Sequence, residues 1–325
     1  MLEPDIGLED DVAGVDCGPL SGDLELEIDS GATDVLVGES STRRVVEYVG
    51  RLRVTVVGEP DGRNRQAVVA LHDICTNAVT CFGQFVDFCQ SKNVKSFVGS
   101  VQYYVDAPGH EENAPTMPEG ENWYTLEDIA DELHKVVDRF QLKRILGLGV
   151  GAGARVLLDY ASRYPGTVRG LILVSPVIHA ASIPEWLTLT TSVRYTSYAG
   201  WNEQLKKRLL ARWLSGEQLV EGNRVRVKYE SALNRLNPFN TARLLSAYAK
   251  RKDISKTLSK LRFRALIITG TASQLYEDSL RAFASFDPST TTIIELRGCG
   301  SLCLDEEKEK SAEAVKLYLE GLGAL

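Results

Sequence analysis

The chain has 325 residues, 44% of them hydrophobic and 25% charged. These are globular values, and they exclude collagenous, low-complexity and wholly disordered classes. No apolar run approaches the roughly 18–20 residues of a membrane span, and the opening MLEPDIGLED has neither the basic nor the apolar region of a secretory signal.

The acidic and basic side chains are unevenly distributed along the chain. Residues 1–40 hold 12 acidic side chains and no basic one, and residues 194–262 hold 16 basic against 5 acidic, +11 in a protein of net charge −7. The first segment has little apolar surface to offset the entropy of ordering, so 1–40 is expected to be a disordered acidic segment preceding a domain over 41–325. Within it Leu24–Ile28 alternates apolar and acidic residues in the manner of an edge strand. Six cysteines, at 17, 75, 81, 89, 299 and 303, form no C-x-x-C pair. They read as reduced thiols of a cytosolic protein, with neither a disulfide nor a structural zinc expected.

From residue 45 the pattern alternates between strands and helices. Two period-2 strands, 45–49 and 51–57, precede a Glu59-Pro60-Asp61-Gly62 turn. Residues 67–71 are continuously apolar, as in a strand covered on both faces. A helix is expected over 81–91, a strand over 97–106 and an amphipathic helix over 125–140 whose Thr125 and Asp128 form a variant capping box. A strand from 144 enters a glycine turn and a helix to about 163. Further strands follow at 170–174, 264–269 and 291–296, with helices near 274–286 and 307–322. Residues 183–260 offer helices without a core strand. The whole describes an α/β fold, a mostly parallel doubly wound sheet with a helical cap over the carboxyl edge of its strands, where such sheets bind ligands.

Gly149-Val150-Gly151-Ala152-Gly153 has two chemical readings. As a dinucleotide fingerprint it lacks context, because the next strand ends in Val174-Ser175-Pro176 without the acidic residue that holds a ribose. As the G-x-S-x-G nucleophile elbow of α/β-hydrolases it has both flanking glycines, but the nucleophile position is Gly151. In that fold the acid follows a later strand, where Ser273 stands, with Glu277 and Asp278 a turn on. The histidine comes after the last strand, where Ser301 stands. The histidines are 72, 110, 134 and 179, so none follows residue 179. Nucleophile, acid and base are all missing from their places, which argues against triad chemistry. His72 and Asp73 lie where hydrolases place the oxyanion loop. With Val150 and Ala152 they are candidates to line a residual pocket, and the simpler expectation is that His72 bonds backbone and steadies its loop. His110 reads as a surface loop residue, His134 as solvated, and Ser175 as an ordinary loop serine.

Several segments together resemble the N-myc downstream-regulated (NDR) family. They are Ala70–Asn77 with Cys81 and Phe82, Val105–Glu112 with Ala114 and Pro115, Gly147–Gly153 with glycine at the elbow, and the closing Tyr318–Gly323. The likeness spans about residues 45–323. It implies an α/β-hydrolase fold with a helical cap at about 183–260 and no catalytic activity. It also implies a cytoplasmic or peripherally membrane-bound signalling or adaptor role in stress response, differentiation or trafficking. Partners implied by the resemblance are G-protein βγ or anionic lipid. No cofactor and no metal is implied, and oligomeric state is left open. The chain stops soon after the core, so regulation through a phosphorylated tail is not carried over.

In the basic insert, Lys206, Lys207 and Arg208 and then Lys250, Arg251 and Lys252 form clusters that are either a solvated surface or a contact patch for acidic partners. Nucleic acid is not expected, because the insert has no reading motif. The rival functions are a hydrolase with a relocated nucleophile and a small-molecule receptor using the old active-site cavity.

Overall fold

The structure is a computed structural model that describes residues 44–58, 66–92, 94, 97, 99–118 and 124–323. The acidic segment 1–40, with its Leu24–Ile28 stretch and Cys17, and the expected turn at 59–62 lie outside the described residues.

Eight strands form one sheet among the described residues: β1 (Arg44–Val49), β2 (Leu52–Val57), β3 (Ala67–Leu71), β4 (Val101–Asp106), β5 (Ile145–Val150), β6 (Val168–Val174), β7 (Arg264–Gly270) and β8 (Thr291–Leu296). Their spatial order is β1-β2-β4-β3-β5-β6-β7-β8. β1 and β2 form an antiparallel hairpin, β2 pairs antiparallel with β4, and every later pairing is parallel. The helices outside the cap are α1 (Ala78–Ser91), α2 (Leu126–Arg139), α3 (Ala152–Arg163), α9 (Tyr276–Ser285), α10 (Cys303–Glu306) and α11 (Lys308–Gly321).

The continuous apolar runs are explained by burial on both faces. In β3, Val69 and Leu71 join a core with α2, α3 and the cap. Val68 and Ala70 point the other way, into a second core with α1 and α11. β6 divides in the same manner, Leu171 and Leu173 against Ile172 and Val174.

Between β6 and β7 lie the helices of the cap: α4 (Ile183–Ala199), α5 (Glu203–Trp213), α6 (Arg224–Arg235), α7 (Pro238–Ala249) and α8 (Ser255–Leu258). Asn240 of α7 pins the cap to the loop after β4. Its amide donates to the carbonyls of Gly109 at 3.2 Å and Pro115 at 2.9 Å and accepts from the Met117 N–H at 2.9 Å. No helix among the described residues is long and apolar enough to cross a membrane.

Two elements depart from the sequence reading. Helix α1 begins at Ala78, not 81, because two carboxamide and carboxylate acceptors serve its first turn. Asn77 accepts from the Thr80 N–H at 2.8 Å, and Asp106 of β4 accepts from the Ala78 N–H at 2.7 Å. β4 begins at Val101, not Phe97. Phe97 packs edge-on against Phe85 of α1, and the Ser100 N–H and hydroxyl both donate to the Phe97 carbonyl, a turn that separates it from the strand.

Helix α2 carries the expected capping box. Thr125 accepts from the Asp128 N–H at 3.1 Å, and Asp128 accepts from the Thr125 N–H at 2.7 Å. Thr125→Ala is expected to cost about 1 kcal/mol, read as a fall of about 2–3 °C in the thermal midpoint.

Candidate functional site

The turn from β5 into α3 aims Gly151 at the carboxyl edge of the sheet, with φ +53° and ψ −109°. That φ suits glycine and strains any other residue. The turn is held by the Gly151 N–H donating to the Val174 carbonyl at 2.9 Å. Gly153 has a different reason to lack a side chain, since a Cβ there would run into the Leu71 carbonyl and push α3 off the end of β3.

A Cβ on Gly151 would overlap the carboxyl group of Asp73. Asp73 is 1% exposed, and its carboxylate fills the space a nucleophile side chain would occupy. Its Oδ1 accepts from the Ala152 N–H at 2.8 Å, and its Oδ2 accepts from the Trp213 Nε1–H of α5 at 3.2 Å. The Arg212 Nε stands 3.9 Å from the same Oδ2. The N–H of the residue after the nucleophile is half of a hydrolase oxyanion hole. Here that donor is already bonded to the Asp73 carboxyl group, and the indole of Trp213, fully buried, closes the site from the cap.

At the acid and base positions the structure brings together two hydroxyls. The Ser273 and Ser301 Oγ atoms are 2.6 Å apart. Ser301 donates its hydroxyl to the Arg212 carbonyl at 2.7 Å and its N–H to the Trp213 carbonyl at 2.7 Å. Ser273 accepts from the Leu275 N–H at 3.0 Å. The pair ties the loops after β7 and β8 to the end of α5. Ser175, at φ +48°, donates to the Ser301 carbonyl at 3.2 Å. Glu277, at the start of α9, is exposed.

His72 steadies its own loop. Its Nδ1 lies 2.7 Å from the Asp73 carbonyl and its Nε2 accepts from the Ala107 N–H at 2.9 Å, so the proton is on Nδ1. Burial lowers its pKa below the ordinary 6.5, against the opposing pull of Asp106. His110 is not a surface residue. It is completely buried, its ring 5.6 Å from that of His72 and its Nδ1 3.1 Å from the Pro108 carbonyl. The loop that looked exposed in sequence is covered by the cap, through Asn240. Burial, and then the neighbouring His72, push the His110 pKa down to about 3. His134 is stacked on Tyr164, ring centroids 3.8 Å apart, and so is only partly solvated.

Ala152 and His72 line a cavity with Leu71, Val105, Ile129 and Leu244. Its volume is about 10 Å³, barely the room one water molecule needs. Val150 faces Val174, Leu302 and Tyr229, where packing leaves no water-sized space. Among the described residues no group of three His, Cys, Asp or Glu is arranged to hold a metal. Cys75, Cys81, Cys89, Cys299 and Cys303 are free and buried.

The basic clusters are less uniform than their sequence suggests. Lys207, Arg208, Lys250 and Lys252 are exposed, and Lys206 is half-buried beside Glu203 at 3.1 Å. Arg251 does not belong to any contact patch. It is 4% exposed, holds Glu185 of α4 with both carboxylate oxygens at 2.7 and 2.8 Å, and lies over the Tyr248 ring at 4.1 Å. A guanidinium next to a tyrosine and an acid finds enough partners inside to be buried, and a lysine would not.

Sequence reasoning missed Trp213, Arg212 and Asn240. The spacing Leu205-Leu209-Trp213 marks a buried helix face, so the burial of Trp213 was available in the sequence, but its partner, 140 residues earlier in the chain, was not.

The eight-strand order, the glycine elbow and the helical cap between β6 and β7 define an α/β-hydrolase fold. Solved structures agree. An esterase from Thermogutta terrifontis superposes with a TM-score of 0.71 at 17% identity, covering 86% of this chain and 99% of that one. An enol-lactonase from Burkholderia xenovorans LB400 gives 0.70 at 15%, covering 85% and 100%. Within that fold the chain belongs to the Ndr family, whose sequence model matches residues 42–325. Its relatives include an "NDRG-like protein" of Dictyostelium discoideum, 30% identical over 277 residues, 83% of this chain and 82% of that protein. "Protein NDL1" of Arabidopsis thaliana is 30% identical over 303 residues, covering 90% and 86%. "Protein NDRG1" of Xenopus tropicalis is 27% identical over 309 residues, covering 92% and 75%.

Two measurements test this geometry. Asp73→Ala strips the Ala152 and Trp213 N–H groups of their acceptor in a dry site, and is expected to cost about 3 kcal/mol. Gly151→Ser is also expected to destabilise, and by less in the Asp73→Ala background, where the overlapping carboxyl is gone. Thermal midpoints of the two single variants and the double variant read that non-additivity.

The second concerns acid. The folded protein holds His110 neutral down to about pH 3, whereas the unfolded imidazole protonates near its ordinary 6.5. Its contribution to stability is therefore complete above about pH 6.5 and lost as pH falls toward about 3, at about 1.4 kcal/mol per pH unit. His72 acts in the same direction. Denaturant midpoints between pH 7 and pH 4.5 should fall less steeply for His110→Phe than for the parent chain.

Proposed function

We propose that this protein is a non-catalytic member of its family, an intracellular signalling or adaptor protein that works through surface contacts and not through bond cleavage. The observation that carries the reading is the Asp73 carboxylate on the Ala152 N–H. A hydrolase needs that donor free, beside an attacking side chain, to bind the developing oxyanion. A carboxyl group bonded there occupies the donor that a tetrahedral intermediate would need, and Gly151 supplies no nucleophile. The hydroxyl pair of Ser273 and Ser301 has no imidazole to activate it, and both hydroxyls are engaged in the grip on α5.

The same packing argues against a small-molecule receptor. A drug-sized ligand needs a pocket of about 300 Å³ or more, and the cavity beside His72 has about 10 Å³. Surface contact fits this packing, and the cap, with +11 over residues 194–262, is one part of the chain whose charge stands apart. A cytoplasmic location, peripheral association with anionic membranes and a G-protein βγ partner are consistent with this reading and come from the family resemblance. A cap-borne contact with an acidic partner is the reading taken further below.

The test is covalent labelling with a serine-directed fluorophosphonate, alongside hydrolysis of generic acyl esters. No labelling and background hydrolysis are expected, for the parent chain and for Gly151→Ser alike. Stoichiometric labelling of any serine overturns the reading in favour of a relocated nucleophile.

A further inference from the structure

Helix α4 opens the cap and carries five of the large apolar side chains that remain exposed: Ile183, Trp186, Leu187, Tyr195 and Tyr198 at 84, 46, 58, 52 and 91%. Its inner side is settled against α7, through half-buried Leu189 and Val193 and buried Ser192 and Thr196. At about 100° per residue the exposed residues fall in one half of the helix circumference. They run its full length, about 25 Å. The Thr191 hydroxyl on this half donates to the Leu187 carbonyl at 2.7 Å, so its hydrogen is bonded within the helix.

The charge on this ridge is one-sided. Arg194, eleven residues beyond Ile183, lies within about 20° of it around the helix. It stands in a central stretch where Thr190 and Thr191 are also exposed, between the apolar groups Ile183–Leu187 and Tyr195–Tyr198, the second of which includes exposed Ser197. It is exposed and makes no ion pair or hydrogen bond among the described residues. The acidic residue of α4, Glu185, is taken by Arg251. Lys250, at the end of the helix that supports α4, is exposed, and Lys252, also exposed, stands 3.8 Å from Glu127 of α2.

We propose that the outer face of α4 is a docking ridge for an acidic amphipathic helix of a partner protein, packed side by side with α4 and placing a carboxylate opposite Arg194. The proposal rests on the non-catalytic contact role argued above and names the partner's chemistry. Two apolar helix faces pair through residues three and four apart, and an ion pair in the seam fixes register. Charge complementarity selects this occupant over two others. A second copy of the chain would bring Arg194 to a face with no free carboxylate. A membrane would receive Arg194 along the deepest line of the inserted face, whereas interfacial helices keep their basic residues on the polar side.

The experiment uses the full chain and a fluorescein-labelled helical peptide of three heptads, with leucine at the seam positions, glutamate at the central one and acidic flanks. A matched peptide carries lysine at the central position. Binding is read by anisotropy, with Trp186 emission as a second signal. Saturable binding of the glutamate peptide is expected. Leu187→Asp and Arg194→Glu should each weaken it by about tenfold or more, and Arg194→Glu should prefer the lysine peptide. The substituted side chains are exposed, so unchanged thermal midpoints confirm folding. The proposal is overturned by absence of saturable binding, by equal binding of the two peptides, or by an Arg194→Glu variant that binds as the parent does. It is also overturned if Leu187→Asp abolishes co-sedimentation with phosphatidylserine-containing vesicles, which assigns the ridge to a membrane. Loss of a dimer in the same variant assigns it to a second copy. Fluorophosphonate labelling bears on the adaptor reading alone, so the two failures are told apart.

Discussion

Asp73 stands where β3, the β5–α3 turn and the cap meet, and the other features of the site follow from its burial. A carboxylate removed from water is costly unless donors replace the solvent. Here two elements supply the partners: the Ala152 amide at the start of α3 and, from α5, the Trp213 indole with the Arg212 guanidinium at longer range. Gly151 is the other half of the arrangement. The carboxyl group fits because the elbow has no side chain, and the elbow accepts no side chain because the carboxyl group is there. The two positions constrain each other, and together they put a buried carboxyl group where a side chain on the elbow would stand.

From Asp73 a chain of polar contacts runs outward through the cap. Arg212 donates to the Tyr248 hydroxyl at 2.8 Å and lies over its ring at 5.0 Å. Arg251 lies over the same ring and holds Glu185 in the first turn of α4. The main chain of α5 is held in turn by Ser301. The result is a cap fixed to the core at the position where a hydrolase keeps an opening for substrate. The outer helix of that cap is therefore held on a braced support.

Esterases and lactonases share this fold. The sheet order, the positive φ at the elbow and the close approach of α3 to β3 belong to the scaffold of this chain. These are requirements of the strand–turn–helix junction and hold whether or not a reaction occurs there. Function resides in the chemistry of particular side chains and not in the fold.

Much of this was legible in the chain itself. The alternation of apolar runs with amphipathic segments dictates a parallel sheet with helices on both faces, and Thr125 with Asp128 marks a helix start by local hydrogen bonding alone. Gly151, Ser273 and Ser301 are visible as replacements because motif spacing and chain order are one-dimensional properties. The burial of His110 and Arg251 was not legible, because both are polar residues next to turn signals and their partners are remote in sequence. The union of Asp73 with Trp213 was equally hidden. Helical periodicity says which face of a segment is apolar, but not which distant group will lie against it. The sequence by itself determined the fold and the absence of serine, acid and histidine from the motif's usual positions, since both follow from local pattern and composition. Tertiary structure alone decided that the Asp73 carboxyl group lies against Gly151 and that α4 keeps an exposed face among the described residues, since both depend on the position in space of the cap relative to the sheet.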